Sequence, residues 1–200
     1  MRRRQRPQHW LQTRVSNDPG YRQAVEFAQT HVPLEGCDYS WVVDHANEQF
    51  RQMEEVIEAL DDKAAKIITY VGAFAGVSAV TFAYQAATVH WVIGASFLPT
   101  LVLALMAISQ AVKAAAPGPQ PFPPSAERAR AYAEAYAKEH AQARFALQTW
   151  AAFEGLSVVA SAKAGLVTGA SVLFKWAAWL LLVPAFAAVV AGLLLGGPSG

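Results

Sequence analysis

The sequence predicts an all-α membrane protein: a helical hairpin plus a terminal spanning helix, three transmembrane helices in all, with long helices extending into the cytoplasm. Three observations predict it. Two uncharged apolar runs, 67–87 and 91–112, stand close together in mid-chain. All fifteen acidic residues lie at or before Glu154, and beyond it the only charges are Lys163 and Lys175. The lysines and arginines are also unevenly placed: nine precede the first run, none lies in the short link at 88–90, six follow the second run up to Lys163, and none follows Gly196.

Each run has the roughly 20 residues that a helix needs to cross a hydrocarbon core. The link between them closes a hairpin (67–112), with Trp91 at a water boundary and Lys113 ending the second span. In the tail, 155–195 is long enough for two spans, but no Gly, Pro, Asn or Asp at 174–176 signals a reversal. One helix entering the membrane at Lys175 is preferred, with Trp176 and Trp179 as interface anchors, the terminal span at 175–196 and a kink at Pro184. The positive-inside rule then sets the N-terminus and the long loop in the cytoplasm and the hairpin tip and C-terminus outside.

Residues 1–40 mix Arg, Gln, Pro and Gly with little periodicity and read as a basic, poorly ordered cytoplasmic tail. Arg2, Arg3, Arg4 and Arg6 are a topology signal that can also touch anionic head groups. No apolar stretch follows them, so no cleaved signal peptide is expected. Interleaved aromatics are too few for a nucleic-acid polymer to be a partner. The single cysteine, Cys37, allows no internal disulfide.

From 41 the pattern changes. Val43, Ala46, Phe50, Met53, Ile57, Leu60, Ala64, Ile67 and Val71 recur at spacings of three and four, an a/d seam that continues in phase into the first span. A cytoplasmic heptad helix (41–66) continuous with that span is expected. Its seam packs on another helix of this chain or on a second copy, with Phe50, Met53, Ile57 and Leu60 as the oligomerisation candidates. Glu54, Glu55, Glu58, Asp61 and Asp62 form a solvated face. One face of one helix is a poor source of the six or more oxygens that calcium wants.

A spacer at 113–125 follows, with five prolines in 114–124. A cytoplasmic helical segment, 126–174, starts at a Ser125 cap. Tyr132, Tyr136 and His140 recur every fourth residue near Arg128 and Arg130. Arginine for phosphate and tyrosine for base stacking make Arg128, Arg130, Tyr132 and Tyr136 candidate nucleotide contacts. An ordinary packed helix face is the alternative. Gly165 and Gly169 form a GxxxG that lets helices approach closely, a further oligomerisation candidate. Lys163 reads as a snorkelling charge at the cytoplasmic boundary; the alternative is a charge within the membrane, which would need a partner or water and would mark a functional path.

No active site emerges. The histidines are scattered, there is no HExxH or cysteine-rich ligand set, and there is no P-loop or GxGxxG. The protein is expected to be neither an enzyme nor a holder of metal or cofactor.

The run Asp61-Asp62-Lys63-Ala64-Ala65-Lys66-Ile67-Ile68 resembles the Asp-x-Lys-Ala entry into the membrane of the Pycsar-type transmembrane effector domain family. The stretch Val158 to Gly165, followed by Ala170 and Phe174, resembles the helix leading to that family's last span. Asp61, Lys63, Ala64 and Lys163 carry the motif, and the resemblance covers about 45–196. Related two-span effectors of cyclic-nucleotide defence systems resemble it about equally. The resemblance implies a bacterial inner-membrane protein of antiphage defence, in which a cyclic nucleotide is the ligand, copies assemble, and membrane integrity is impaired. The competing expectation is a membrane-anchored scaffold whose heptad helix recruits a protein partner. A constitutive transporter is disfavoured by the few polar residues in the spans.

Overall fold

The computed structural model describes residues 9–34, 37–88, 97–118, 126–136 and 138–195. Six helices are described: α1 His9–Asn17, α2 Pro19–Thr30, α3 Ser40–Thr88, α4 Leu98–Ala115, α5 Ala126–Ala135 and α6 Lys138–Leu195. They fall into two compact units, one of Met1–Leu60 with Ala116–Ala164 and the other of Asp61–Ala115 with Gly165–Gly200. Helices α3 and α6 contribute to both. At 49 and 58 residues they are about 74 and 87 Å long.

The first unit contains a departure from the tail expected at 1–40, because residues 9–30 form two packed helices. The reason is a local start signal. The Asp18 side chain accepts from the Tyr21 amide at 3.0 Å, and Pro19 occupies the first turn. This is an N-cap followed by the residue best tolerated at a helix start. Leu11 and Val15 of α1 are buried, as are Ala24 and Ala28 of α2; each pair is four residues apart and so shares a face. Ala24 and Ala28 pack with Val25 against Leu147 and Ala151 of α6. Phe27 meets Trp150 edge-on at 6.2 Å.

The seam of α3 is buried or half-buried at every expected position from Val43 to Val71. In the first unit it packs within the chain. Phe50, Met53 and Ile57 meet Ala152, Phe153 and Leu156 of α6. Burying side chains of this size contributes roughly 1.5–3 kcal/mol each. The outward residues form an exposed ladder in which Arg51 bridges Glu48 and Glu55 at 2.8 Å each. The hydrogen bond from Arg51, then that from Gln52, holds the Glu48 carboxyl below its ordinary pKa.

The spacer at 113–125 also differs in part. Helix α4 continues to Ala115, and Gly118 passes close to Val159 and Leu11, where a Cβ would lie 3.1 and 3.3 Å from their methyls. Residues 119–125, including the Ser125 cap, lie outside the described residues, as do the 89–90 link and Trp91. The segment 126–174 is divided between α5 and α6, and α6 runs on past Lys175 without a break.

The second unit is organised inside out relative to a water-soluble bundle. Thr100, Ala104, Ala107, Ala111 and Ala114 are the buried stripe of α4. Its large residues Leu98, Val102, Leu105, Met106 and Val112 are exposed. Small residues inside and large apolar ones outside suit close backbone approach in a surrounding as apolar as leucine. Val71 of α3 packs with Ala104 and Ala107, joined by Phe74, Ile108, Leu173 and Phe174. Among the described residues, three helices are long and apolar enough to cross a membrane, the candidates lying in Ser40–Thr81, Leu98–Ala115 and His140–Leu182. Only 17%, 28% and 39% of their most apolar stretches is buried within the chain, which leaves a large apolar surface exposed.

Candidate ligand site in the first helical unit

Helix α5 carries the four proposed nucleotide contacts, and its geometry separates them. Residues four apart share a face, whereas residues two apart stand about 200° round the axis. Arg130 therefore points away from Arg128 and pairs with Glu134 at 2.7 Å, both largely exposed. The structure does not gather all four at one point.

Arg128 lines an open cavity of about 270 Å³ between α2, α5 and α6, just below the roughly 300–1,000 Å³ of ordinary small-ligand clefts. Its other walls are Tyr21, Val25, Ala28 and Gln29 of α2 and Gln148, Ala151 and Ala152 of α6. Three kinds of group meet there: a permanent cation, two amides that can both donate and accept, and a phenol. Among the described residues no carboxylate lines it. The chemistry suits a small anion with a polar, planar edge.

Tyr132 is tied to this wall, because its hydroxyl accepts from the Gln148 amide. Tyr136 stands 6.3 Å from Tyr132, centroid to centroid, and carries the Arg144 guanidinium 5.2 Å from its ring. Its face thus holds a cation of the chain itself. His140, expected on the same face, donates through Nε2 to the Pro33 carbonyl at 3.2 Å and ties α6 to the segment after α2. Tyr21, Gln29 and Gln148 were missed at the sequence level. Tyr21 and Gln29 lie in the stretch read as a tail, and the one available signal was the Asp18-Pro19 helix start.

A second cavity, of about 400 Å³, is lined by Val43, Ala129, Ala133, Lys138, Ala141, Gln142 and Phe145. Five of these residues are apolar, and Lys138 and Gln142 supply its polar groups.

The remaining sequence candidates are dispersed. Phe50, Met53 and Ile57 are engaged by α6, and Leu60 is half-buried. Gly165 is open, with nothing near its Cβ position, whereas Gly169 meets the Gln110 side chain of α4. The two glycines of the GxxxG thus do not serve one contact. Of the motif residues, Lys63 is exposed, Asp61 half-buried and Ala64 fully buried. Lys163 is 2% exposed, so the surface snorkelling expected of it does not hold: its stem and ammonium are packed inside. No group of three or more metal-ligating side chains occurs among the described residues.

No family model matches the chain, and neither does a curated protein or a solved structure. The functional reading therefore rests on the residues themselves.

Proposed function

We propose that this chain is a ligand-responsive membrane effector. Its three apolar helices cross the bacterial inner membrane, with the N-terminus and the first unit in the cytoplasm. A cyclic nucleotide held at the Arg128 cavity triggers assembly of copies, and assembly impairs the membrane. The carrying observation is that α3 and α6, whose first parts build the ligand-bearing unit, are the same unbroken helices that supply two of the three apolar windows. A change in packing at Phe50, Leu156 or Gln148 then acts on helices whose own chain continues into the apolar stretches. The Asp61-to-Ile68 resemblance supports the defence role and the cyclic nucleotide, since the cavity chemistry by itself asks only for a small anion.

The test is dye release from liposomes containing the purified full chain, with 3′,5′-cyclic mononucleotides and cyclic dinucleotides added in turn. Release with one nucleotide and not with its linear form supports the reading. An inserted, folded protein that releases nothing with any of them sinks it.

A scaffold is the second reading, favoured by Trp41, which is 68% exposed at the start of α3, and by the neighbouring apolar cavity at Val43 and Phe145. It predicts a stable protein partner lost in Trp41→Ala, and no release under any nucleotide.

A further inference from the structure

The register of the second unit puts one charge in an unexpected place. Gln110 of α4 meets α6 at Gly169, while Ala104 and Ala107 share one packed cluster with Leu173 and Phe174 of α6 and with Val71 and Phe74 of α3. Falling numbers on α4 match rising numbers on α6, so the two helices are antiparallel. Lys175 follows Phe174 and lies level with Ala104. Ala104 is nine residues from Lys113, the basic end of α4, a distance of about 13 Å along the axis. That is close to the middle of the apolar run 91–112 rather than at its edge. Measured from Lys113, the basic end of α4, Lys175 stands more than two turns along the apolar run.

Lys175 is also on the outside of its unit. It is exposed, flanked on α6 by Trp176 and Trp179, which are 61% and 64% exposed. With Val172 and Leu180 these residues line an open groove. Among the described residues nothing pairs with Lys175. Its unit contains only two carboxylates, Asp61 and Asp62, both at the start of the unit's share of α3, and Asp62 is bound to Lys66 at 2.7 Å.

Facing hydrocarbon at that depth, an ammonium costs about 2.5–3.5 kcal/mol even on the most lenient scale. A lysine stem lets its charge shift toward water, but two turns exceed what the stem can span. Charges at such depths face water-filled cavities or other helices. We propose that the Lys175 face of α6 is covered by further copies of this chain and lines a water-filled path between them, whose ring of ammonium groups selects anions. This rests on the membrane-effector reading and adds to it the conducted species and the residue that selects it. Rings of lysine are a standard means of passing anions, and Val172, Trp176, Trp179 and Leu180 supply the apolar contact between copies.

The test is the reversal potential of the full chain in planar bilayers under a potassium chloride gradient, with and without the four common 3′,5′-cyclic mononucleotides. Wild type and Lys175→Arg should prefer chloride, Lys175→Ala should lose most of that preference, and Lys175→Glu should reverse its sign. Conductance whose selectivity ignores Lys175→Glu overturns the inference and leaves membrane impairment standing. Conductance that follows Lys175 but ignores every nucleotide and Arg128→Ala keeps the inference and removes the ligand gate. No conductance at all removes both. Independently, Lys175→Cys on a Cys37→Ser background should react with a charged, water-soluble thiol reagent. Protection that depends on anionic phospholipid would mean that a lipid covers Lys175, against the proposal.

Discussion

Gly169 of α6 and Gln110 of α4 occupy each other's space: a Cβ at Gly169 would overlap the Gln110 Oε1. The glycine is there for the neighbour rather than for its own backbone. Gly165, one turn earlier, has nothing within reach. The lone amide of the second apolar run is thereby seated against helix backbone.

Gly169→Ala should push aside the Gln110 amide, the movable end of a flexible side chain, and so cost less than the about 1–3 kcal/mol of overpacking against fixed atoms. Gly165→Ala should be neutral or slightly stabilising, by helix propensity. Pairing Gly169→Ala with Gln110→Ala should recover much of the loss. Thermal unfolding of the detergent-solubilised chain by circular dichroism measures all three, and equal effects of the two glycine substitutions would refute the packing argument.

Under the proposed function, Arg128→Ala should weaken binding of the nucleotide that causes dye release by about ten- to a hundredfold, the loss of a charge-assisted hydrogen bond worth about 1.5–3 kcal/mol. Arg130→Ala, on the opposite face and paired with Glu134, should leave affinity unchanged. Titration calorimetry separates them. If both arginines matter equally, the ligand lies along α5 and not in the cavity shared with α2.

Phe50→Ala should cost about 3 kcal/mol, since it removes the aromatic ring that packs on Ala152 and Leu156. Chemical unfolding with a helical signal gives the magnitude, and light scattering gives the mass of the particle. A variant that keeps its stability but loses its assembled mass would show that the seam serves a second copy instead.

Asp38 accepts from both the amide and the hydroxyl of Ser40 at 2.9 Å. These bonds hold its carboxyl below the ordinary 3.8. Its contribution to the start of α3 is therefore fully present above that ordinary value and lost as pH falls through the depressed one. Protection of the first-turn amides of α3, taken relative to the intrinsic exchange rate at each pH, should fall on acidification past this point. In Asp38→Asn it should lose that pH dependence.

Much of the architecture was legible because it depends on period and length alone. The a/d seam from Val43 to Val71 is one continuous phase of the sequence, and a helix that keeps its phase has no reason to stop between Leu60 and Ile67. The absence of a turn residue at 174–176 indicated in the same way that α6 runs through. Residues 9–30 were read as a tail because their buried faces are alanine, leucine and valine in a polar background. Such a face becomes informative only once α6 is there to cover it. The candidate site was half visible: Arg128 and Tyr132 by spacing, Tyr21, Gln29 and Gln148 not at all.

By itself, then, the sequence determined what each helix is: where it can run, which stripe is apolar, and which stretches are too uncharged and too long for a water-soluble core. Those properties follow from neighbours along one chain. Only the tertiary structure decided which residues share a level and which share a wall. Lys175 reads as a boundary charge along α6 and comes level with Ala104, inside the second apolar run, only when Gln110 and Gly169 set the register. Arg128 and Arg130 look equivalent until α2 and α6 pack against one face of α5. Depth and convergence are relations between helices, fixed by side-chain packing across segments far apart in sequence.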